Sequence, residues 1–453
     1  MKSRLPATPQ DTLSMSGALR FIVNTLFKGA DLFRRWKYPL KKTPADFEDW
    51  SLLQKIYWAY KCKKPILRAE KGSGLETFFK DNSRQGIELP EGFEKKSVVT
   101  FGAVGDLYKA EGQENSKDLL YEEAADLIFA KDISYANLES QLTEQKIDEL
   151  VFDKNETPPL CSTREQFETL KGHKGKTFTV MQTANNHTLD MGLEGVETTL
   201  RQLQKDGIID IGTNRRAVDR EKGKIIEKKG IKTGFVSATY GLNDRPVPAG
   251  KEYIVNVVKF HKQDGEPDLS LLEKQIAHCR EQQCDFIIAS LHWGYEYEFF
   301  PRQHQVEIAH QLVESGADLI VSHHAHVIQP MEYYRTERDP DRIALITYSL
   351  GNLTSSYSAP HLVLSRVLDL SISKGIFKGE QKTYIEKAEL IPVVQMEEEV
   401  KGLPIFRIKK LSSLKHLSKE SADKEEKEYI DKVIYYEGLP EARKTIVCPT
   451  DVA

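Results

Sequence analysis

Cysteine is scarce in this chain of 453 residues: there are five, an odd number, at Cys62, Cys161, Cys279, Cys284 and Cys448. No pair has the spacing of a zinc clip and no set suggests a disulfide framework. The thiols therefore read as buried or surface groups of a reducing compartment. Long apolar runs are also missing. The most apolar early stretch, 16–34, is interrupted by Arg20, Lys28 and Asp31, whereas a bilayer span needs roughly 20 nearly uninterrupted apolar residues. No transmembrane anchor and no signal peptide are expected, and the expected location is cytoplasmic. The stretch is expected to form an amphipathic helix packed on the body, with peripheral association with a membrane surface as the alternative. Charge of one sign is lacking too. The 64 Lys and Arg against 68 Asp and Glu leave −4, which gives no footprint for nucleic acid. No internal repeat is visible.

What is present suits a folded chain with a large core. Hydrophobic residues make up 40% and charged residues 29%, and the length allows roughly three domains of about 150 residues. Residues 1–95 are aromatic and basic, with Trp36, Trp50, Trp58, Tyr57, Tyr60 and Lys61-Cys62-Lys63-Lys64. Phe47, Trp50 and Leu53, and Leu52, Ile56 and Tyr60, recur at helical spacing, so 1–95 is expected to be a helical extension. Its basic aromatic segment reads as a helix face resting on a neighbour, with polyanion binding as the alternative. From 96 to 395 strands and helices alternate and then give way to paired strands at 362–373 and 383–394. Helices are expected at 119–130, 192–206, 268–283 and 301–315. The last segment, 396–453, is expected to be charged and helical, with a helix at 418–433.

The polar residues follow a pattern. Asp106 ends an apolar run that begins at Val98. Asn137 and Glu139 follow Ile133-Ser134-Tyr135-Ala136, Asn185-Asn186-His187 follows Phe178-Thr179-Val180-Met181, His292 closes 286–291, and His323-His324-Ala325-His326 follows Leu319-Ile320-Val321-Ser322. Short β-branched runs of this kind read as buried strands of an α/β sheet, and ligands bind outside the carboxyl ends of such strands. Carboxylate, amide and imidazole groups gathered at one edge suit a divalent transition metal. Each residue also has a plainer reading. Asp106 can be a turn or cap, Asn137 and Asn186 turn residues, and His292 a hydrogen-bonded core histidine. Asp190 reads as a cap for the helix near Gly192 rather than a ligand, and Glu296 as a partner orienting His292 or a surface residue. Trp293 reads as packing over the site, and His304 and His310 as structural.

The motifs Gly105-Asp106, Ala136-Asn137-Leu138-Glu139, Ala184-Asn185-Asn186-His187 with Asp190 and Gly192, His292-Trp293-Gly294 with Glu296, Ser322-His323-His324-Ala325-His326 and Ser349-Leu350-Gly351-Asn352 resemble, in order, those of the CapA/PgsA family of bacterial capsule and poly-γ-glutamate synthesis proteins. The resemblance spans about 97–355. That family is in turn similar to calcineurin-like metallophosphoesterases. It implies an α/β fold of four layers, two packed sheets flanked by helices, here with an N-terminal helical extension. It implies one or two divalent metal ions (Mn, Fe or Zn) on Asp106, Glu139, Asn186, His292, His324 and His326, with Glu139 at the bridging position and His187 as acid or electrostatic clamp. Metallophosphoesterases carry a histidine two residues after the first aspartate; here that position is Tyr108.

The resemblance implies a metal-dependent hydrolase of the phosphoesterase type, linked to capsule or poly-γ-glutamate biosynthesis and acting on an anionic small molecule or polymer. The alternatives are a non-catalytic metal-binding accessory protein that partners a capsule polymer synthase, and a hydrolase of glutamyl amide bonds.

Overall fold

The computed structural model describes residues 3–12, 16–33, 35–40, 49–145, 159–261, 265–420 and 423–439. Two sheets are stacked face to face. The first runs, edge to edge, through Leu403–Lys410, Glu380–Val400, Leu364–Phe377, Glu94–Leu107, Ile133–Leu138, Val180–Gln182 and Ile209–Ile211, with Asn352–Thr354 paired to the end of Glu94–Leu107. The second runs through Met331–Arg335, Ile343–Thr347, Leu319–His323, Phe286–His292, Ile231–Thr239 and Lys224–Lys228. The central pairs of both sheets are parallel. Parallel strands covered on both faces read as unbroken apolar runs, which is why Phe286-Ile287-Ile288-Ala289 shows no alternation.

The side chains themselves do alternate. Phe286 and Ile288 join Phe101, Ala103, Tyr135 and Val180 of the first sheet in the inter-sheet core. Ile287, Ala289 and Leu291 face outward onto Leu272 and Ile276 of helix Ser270–Glu281 and Ile308 and Leu312 of helix Gln303–Ser315. The outer face of the first sheet is covered by Phe167, Leu170 and Leu203, from helices Arg164–Leu170 and Gly192–Lys205. The result is the expected four-layer α/β sandwich, a metallophosphoesterase-like fold.

Some local expectations need correction. Helical spacing at 119–130 yields mostly turns, with helix only at Ala125–Ile128. Tertiary contacts override it there: Leu120 gives its carbonyl to Ile408 N at 2.7 Å, and Leu120 and Tyr121 are buried. The paired strands are longer than expected and meet at a tight turn at Lys378-Gly379. The helix expected at 418–433 is two helices, Leu411–Glu420 and Lys424–Gly438. Phe47 and Cys448 lie outside the described residues.

In the N-terminal extension, helix Leu52–Lys63 starts at a capping box formed by Ser51 and Gln54. It rests its basic aromatic face on the body. The Lys61 ammonium is buried, 3.0 Å from Glu298 Oε1, and Arg302 Nε reaches Glu298 Oε2 at 2.7 Å. Helix Gly17–Leu32 packs inward through Phe27 and Ala30 against Trp36 and Tyr60. Its outer side stays exposed: Phe21 73%, Ile22 54%, Leu26 51% and Leu32 79%. At 100° per residue these four spread over about 140° of the helix surface, on the side away from Phe27. No described helix is long and apolar enough to cross a membrane.

Candidate metal centre

The carboxyl ends of the parallel strands meet at one place between the sheets. Asp106 lies near the end of Glu94–Leu107, Glu139 just past Ile133–Leu138, and His292 and His323 are the last residues of Phe286–His292 and Leu319–His323. All four side chains are buried. The approach is close because Gly105 has no side chain: a Cβ there would lie 1.8 Å from the Gly351 carbonyl oxygen. That carbonyl accepts Asp106 N–H at 3.0 Å and fixes the carboxylate in place.

Two triads of donor atoms form here. Glu139, His292 and His324 make one, and Asp106, Glu139 and His326 the other, each with its donors within 4.8 Å of one another. Glu139 is common to both, the position of a carboxylate between two cations. His292 Nε2 is 3.5 Å from Glu139 Oε1 and 2.8 Å from Asn186 Oδ1, so the amide oxygen of Asn186 reaches the first triad as well. His326 Nε2 is 3.9 Å from Glu139 Oε1, and His326 Nδ1 lies 3.4 Å from Asp106 Oδ2.

The loops that carry these groups are built locally. Asn185 accepts His187 N–H on its side-chain oxygen at 3.1 Å and donates to the Leu138 carbonyl at 2.8 Å. This turn is locked to the neighbouring strand and turns Asn186 toward His292. Asn186 Nδ2 is held by Asn243 Oδ1 at 3.0 Å, which leaves its oxygen facing inward. After Leu319–His323 the backbone turns left-handed at His324 (φ 88°) and again at His326 (φ 57°). Each such non-glycine residue costs about 1–3 kcal/mol and persists only where the surroundings impose it. Here the two turns bring both rings to one centre, their centroids 5.7 Å apart.

Charge supports a cation. Among the described residues, no lysine or arginine pairs with Asp106 or Glu139; their ionic neighbours are histidines. Burial and then the Asp106 charge push the Glu139 carboxyl well above its usual range. Burial also acts to raise Asp106, but hydrogen bonds to and the charges of His323 and His326 prevail and hold it well below. Burial pushes His292 and His324 well down, so both rings are neutral, the form that ligates. Burial acts to lower His326 too, but its hydrogen bond to Asp106 and that residue's charge leave it raised. Among the described residues, the buried His324 Nδ1 has no hydrogen-bond partner. Two buried carboxylates and an amide oxygen beside imidazole nitrogens, with no lysine or arginine paired to the carboxylates among the described residues, fit a divalent metal ion.

Among the neighbours, Asp190 and Glu296 differ from the sequence expectation, and the others support the site or the core. His323 is not a member of either triad. It ties the site together, with Nδ1 2.8 Å from Asp106 Oδ1 and Nε2 2.7 Å from Tyr135 Oη. In a run of three histidines, nothing local distinguishes it from His324. Tyr108, where the resembled enzymes carry histidine, donates to Glu139 Oε1 at 3.0 Å and touches His326 Nε2 at 3.1 Å. Asn137 donates to Asp106 Oδ1 at 2.8 Å, and Asn352 Oδ1 meets His326 Nδ1 at 3.0 Å. Asp190 does not cap helix Gly192–Lys205, whose N-cap, Met191, has no side-chain bond. It holds His187 instead, with Oδ2 2.6 Å from Nδ1. Glu296 does not orient His292: it accepts from Trp58 Nε1 and stands 3.7 Å from His326 Nε2. Trp293 is buried in the core, and His310 pairs with Glu332 at 2.7 Å.

Residues 100–357, more than half of the chain, match the family described as bacterial capsule synthesis protein PGA_cap. The chain belongs to this family. Among its relatives is the PGA biosynthesis protein CapA of Bacillus subtilis (strain 168), 26% identical over 317 residues, covering 68% of this chain and 77% of the relative. The capsule biosynthesis protein CapA of Bacillus anthracis is 29% identical over 190 residues, covering 41% of this chain and 42% of its own length. A Mycobacterium tuberculosis protein named as a probable polyglutamine synthesis accessory protein, MT0602, is 26% identical over 185 residues, or 38% of this chain and 44% of that one. Every residue of the two triads, and Asn186, lies inside the matched span.

Proposed function

We propose that this member of the capsule synthesis family is a metal-dependent hydrolase of the phosphoesterase type that acts in the making or processing of a capsule or poly-γ-glutamate polymer. The observation that carries the reading is the sharing of Glu139 by two buried donor triads. Two adjacent cations joined by a carboxylate are the arrangement used to displace an ester bond. Asp106, Glu139 and His326 would hold one ion, and Glu139, Asn186, His292 and His324 the other. The donor set suits Mn, Fe or Zn. When bound, the ions would supply a hydroxide at neutral pH and screen charge on the attacked centre.

The chain's own residues provide the rest. His187 lines the cleft beside the centre, and Asp190 fixes its ring through Nδ1. Its Nε2 is thereby directed away from Asp190, ready to give a proton to a leaving oxygen or nitrogen. Tyr108 Oη, bonded to Glu139 and His326, excludes water from that flank. Both phosphoesters and glutamyl amides are compatible with an acid so placed. The deciding assay loads purified protein with Mn²⁺ and offers chromogenic phosphate mono- and diesters alongside γ-glutamyl anilides. Turnover that disappears in His324→Ala supports the proposal, and its direction names the bond. Metal-loaded protein inert on every member of the panel would refute it.

A second reading, an accessory protein seated on a polymer synthase, is favoured by the exposed apolar stripe of helix Gly17–Leu32. Contiguous exposed apolar surface commonly marks an interaction face. Metal without turnover, together with loss of polymer output on Phe21→Ser and Leu26→Ser, would favour it.

A further inference from the structure

Residues 3–12 cross the body as a strap whose inner end reaches the metal centre. Pro9 and Thr12 line a cleft of about 150 Å³ whose other walls include His187 and His326. Pockets that take a ligand are roughly 300–1,000 Å³, so a polymer unit enters this cleft only if a wall gives way. The strap is the lightly seated wall. Its outer end is clasped at the surface. The Ser3 hydroxyl donates to Glu397, the Arg4 backbone N–H lies 3.1 Å from both carboxylate oxygens of Glu397, and Arg4 Nη2 meets Glu399 Oε2 and the Gly402 carbonyl, each at 2.9 Å. The Arg4 and Glu399 side chains are 50% and 66% exposed, and exposed pairs hold weakly and are screened by salt. The middle is held by two backbone bonds, from Ser358 N–H to the Pro6 carbonyl at 3.0 Å and from Ala359 N–H to the Ala7 carbonyl at 2.9 Å. A void of about 280 Å³, lined by Leu5, Ala7, Met396 and Tyr429 among others, lies against this stretch, and groups facing a void forgo packing contacts. Toward the inner end, Gln10 is buried and its Oε1 has no hydrogen-bond partner among the described residues, a penalty that opening relieves.

We propose that residues 3–12 are a lid: they lift from Ser358-Ala359 while the rest of the fold stays intact, and so open the cleft beside the centre. Opening gives up the clasp bonds, the contact of Leu5 with the outer core of the first sheet and the bond between Thr12 and Tyr357. Segments held by so few buried contacts open locally, and active-site lids are drawn from them. The strap and its partners Ser358, Ala359, Glu397, Glu399 and Gly402 all lie outside the matched span 100–357. That the cleft admits a substrate rests on the proposed hydrolase reading; the lifting of the strap does not.

The test uses the full chain, stripped of metal, and measures no turnover. Hydrogen exchange read by mass spectrometry follows the Ser358 and Ala359 amides. Labelling by diethyl pyrocarbonate follows His187 in the cleft, with His310, whose side chain is 29% exposed, as the reference. Glu397→Ala combined with Glu399→Ala releases the outer clasp. Both readings are expected to rise at least fivefold in that variant, while exchange in strand Leu364–Phe377, labelling of His310 and the thermal midpoint stay unchanged. Raising NaCl from about 0.02 to about 0.5 M is expected to move the wild type the same way, at least about twofold; should the variant melt early, this series decides. Amides at 358–359 that exchange only as slowly as strand Leu364–Phe377 would overturn the proposal, since the strap would then leave only on global unfolding. So would faster exchange there with unchanged labelling of His187, which would mean that the strap does not guard the entry, and so would no change in either reading. Failure of the hydrolase reading would leave both readings standing.

Discussion

Replacing Glu298 by glutamine tests how the extension is fastened to the body. Its carboxylate is buried and takes four contacts: Lys61 Nζ at 3.0 Å, Arg302 Nη2 at 3.0 Å and Nε at 2.7 Å, and Tyr57 Oη at 3.2 Å. Burial acts to raise its pKa, but the Arg302 and Lys61 charges and hydrogen bonds outweigh that and lower it. Glutamine removes the negative charge and presents an N–H₂ where one of the cations donates. Buried Lys61 would lose its counter-ion, and buried Arg302 would keep, among the described residues, only Glu70, whose Oε1 lies 3.5 Å from its Nη1. Breaking a buried pair from one side costs about 3–5 kcal/mol, a large part of the roughly 5–15 kcal/mol that holds a domain folded. Urea denaturation of Glu298→Gln should therefore show about 3–5 kcal/mol lost. Protease sensitivity should rise first in residues 49–64, which Glu298 anchors. Adding Lys61→Met should recover part of the loss, since it removes one stranded charge. A loss below about 1 kcal/mol, or no recovery in the double variant, would refute the reasoning.

Three further outcomes are expected. Gly105→Ala puts a methyl group 1.8 Å from the Gly351 carbonyl oxygen, so backbone must move: a loss of at least about 1–3 kcal/mol is expected in denaturant titration, with weaker metal binding as Asp106 shifts. Burial pushes His361 from 6.5 to about 4, beside the Cys62 carbonyl it meets at 3.2 Å. The unfolded chain takes that proton near pH 6.5 and the folded chain only near 4. Its contribution is therefore complete above about 6.5 and is lost as pH falls toward 4, by about 2 kcal/mol at pH 5 and about 3 kcal/mol in all; His361→Gln should remove that part of the slope, and an unchanged slope would contradict the assignment. His187→Ala should keep its metal and lose roughly 10²- to 10⁴-fold in kcat on whichever ester or amide is turned over, and a loss of metal instead would make His187 a ligand.

Much of this architecture is legible in the sequence because buried parallel strands must be apolar on both faces. The first polar residue after each run therefore marks a strand end, which is how Asp106, Asn137, His292 and His323 can be placed. Less can be read where the determinant is distant. Which of His323, His324 and His326 turns to which partner depends on left-handed backbone at His324 and His326, a conformation the surrounding fold imposes and residue type does not announce. Asp190 has the look of a helix cap, yet the nearby ring of His187 competes for its oxygen and wins. Trp58 and Glu296 meet across 238 positions, and no local pattern signals such a contact. The turns at 119–130 carry helical spacing but are held by strand Leu403–Lys410, through Ile408 N to the Leu120 carbonyl.

The central claim is that one buried carboxylate serves two cation sites. Elemental analysis of the full chain after Mn²⁺ loading and gel filtration tests it most directly, with Glu139→Ala measured beside the wild type. About two ions per wild-type chain, falling below one in the variant, is the expected result. Wild-type protein that retains no metal, or a variant that keeps the wild-type stoichiometry, would contradict it.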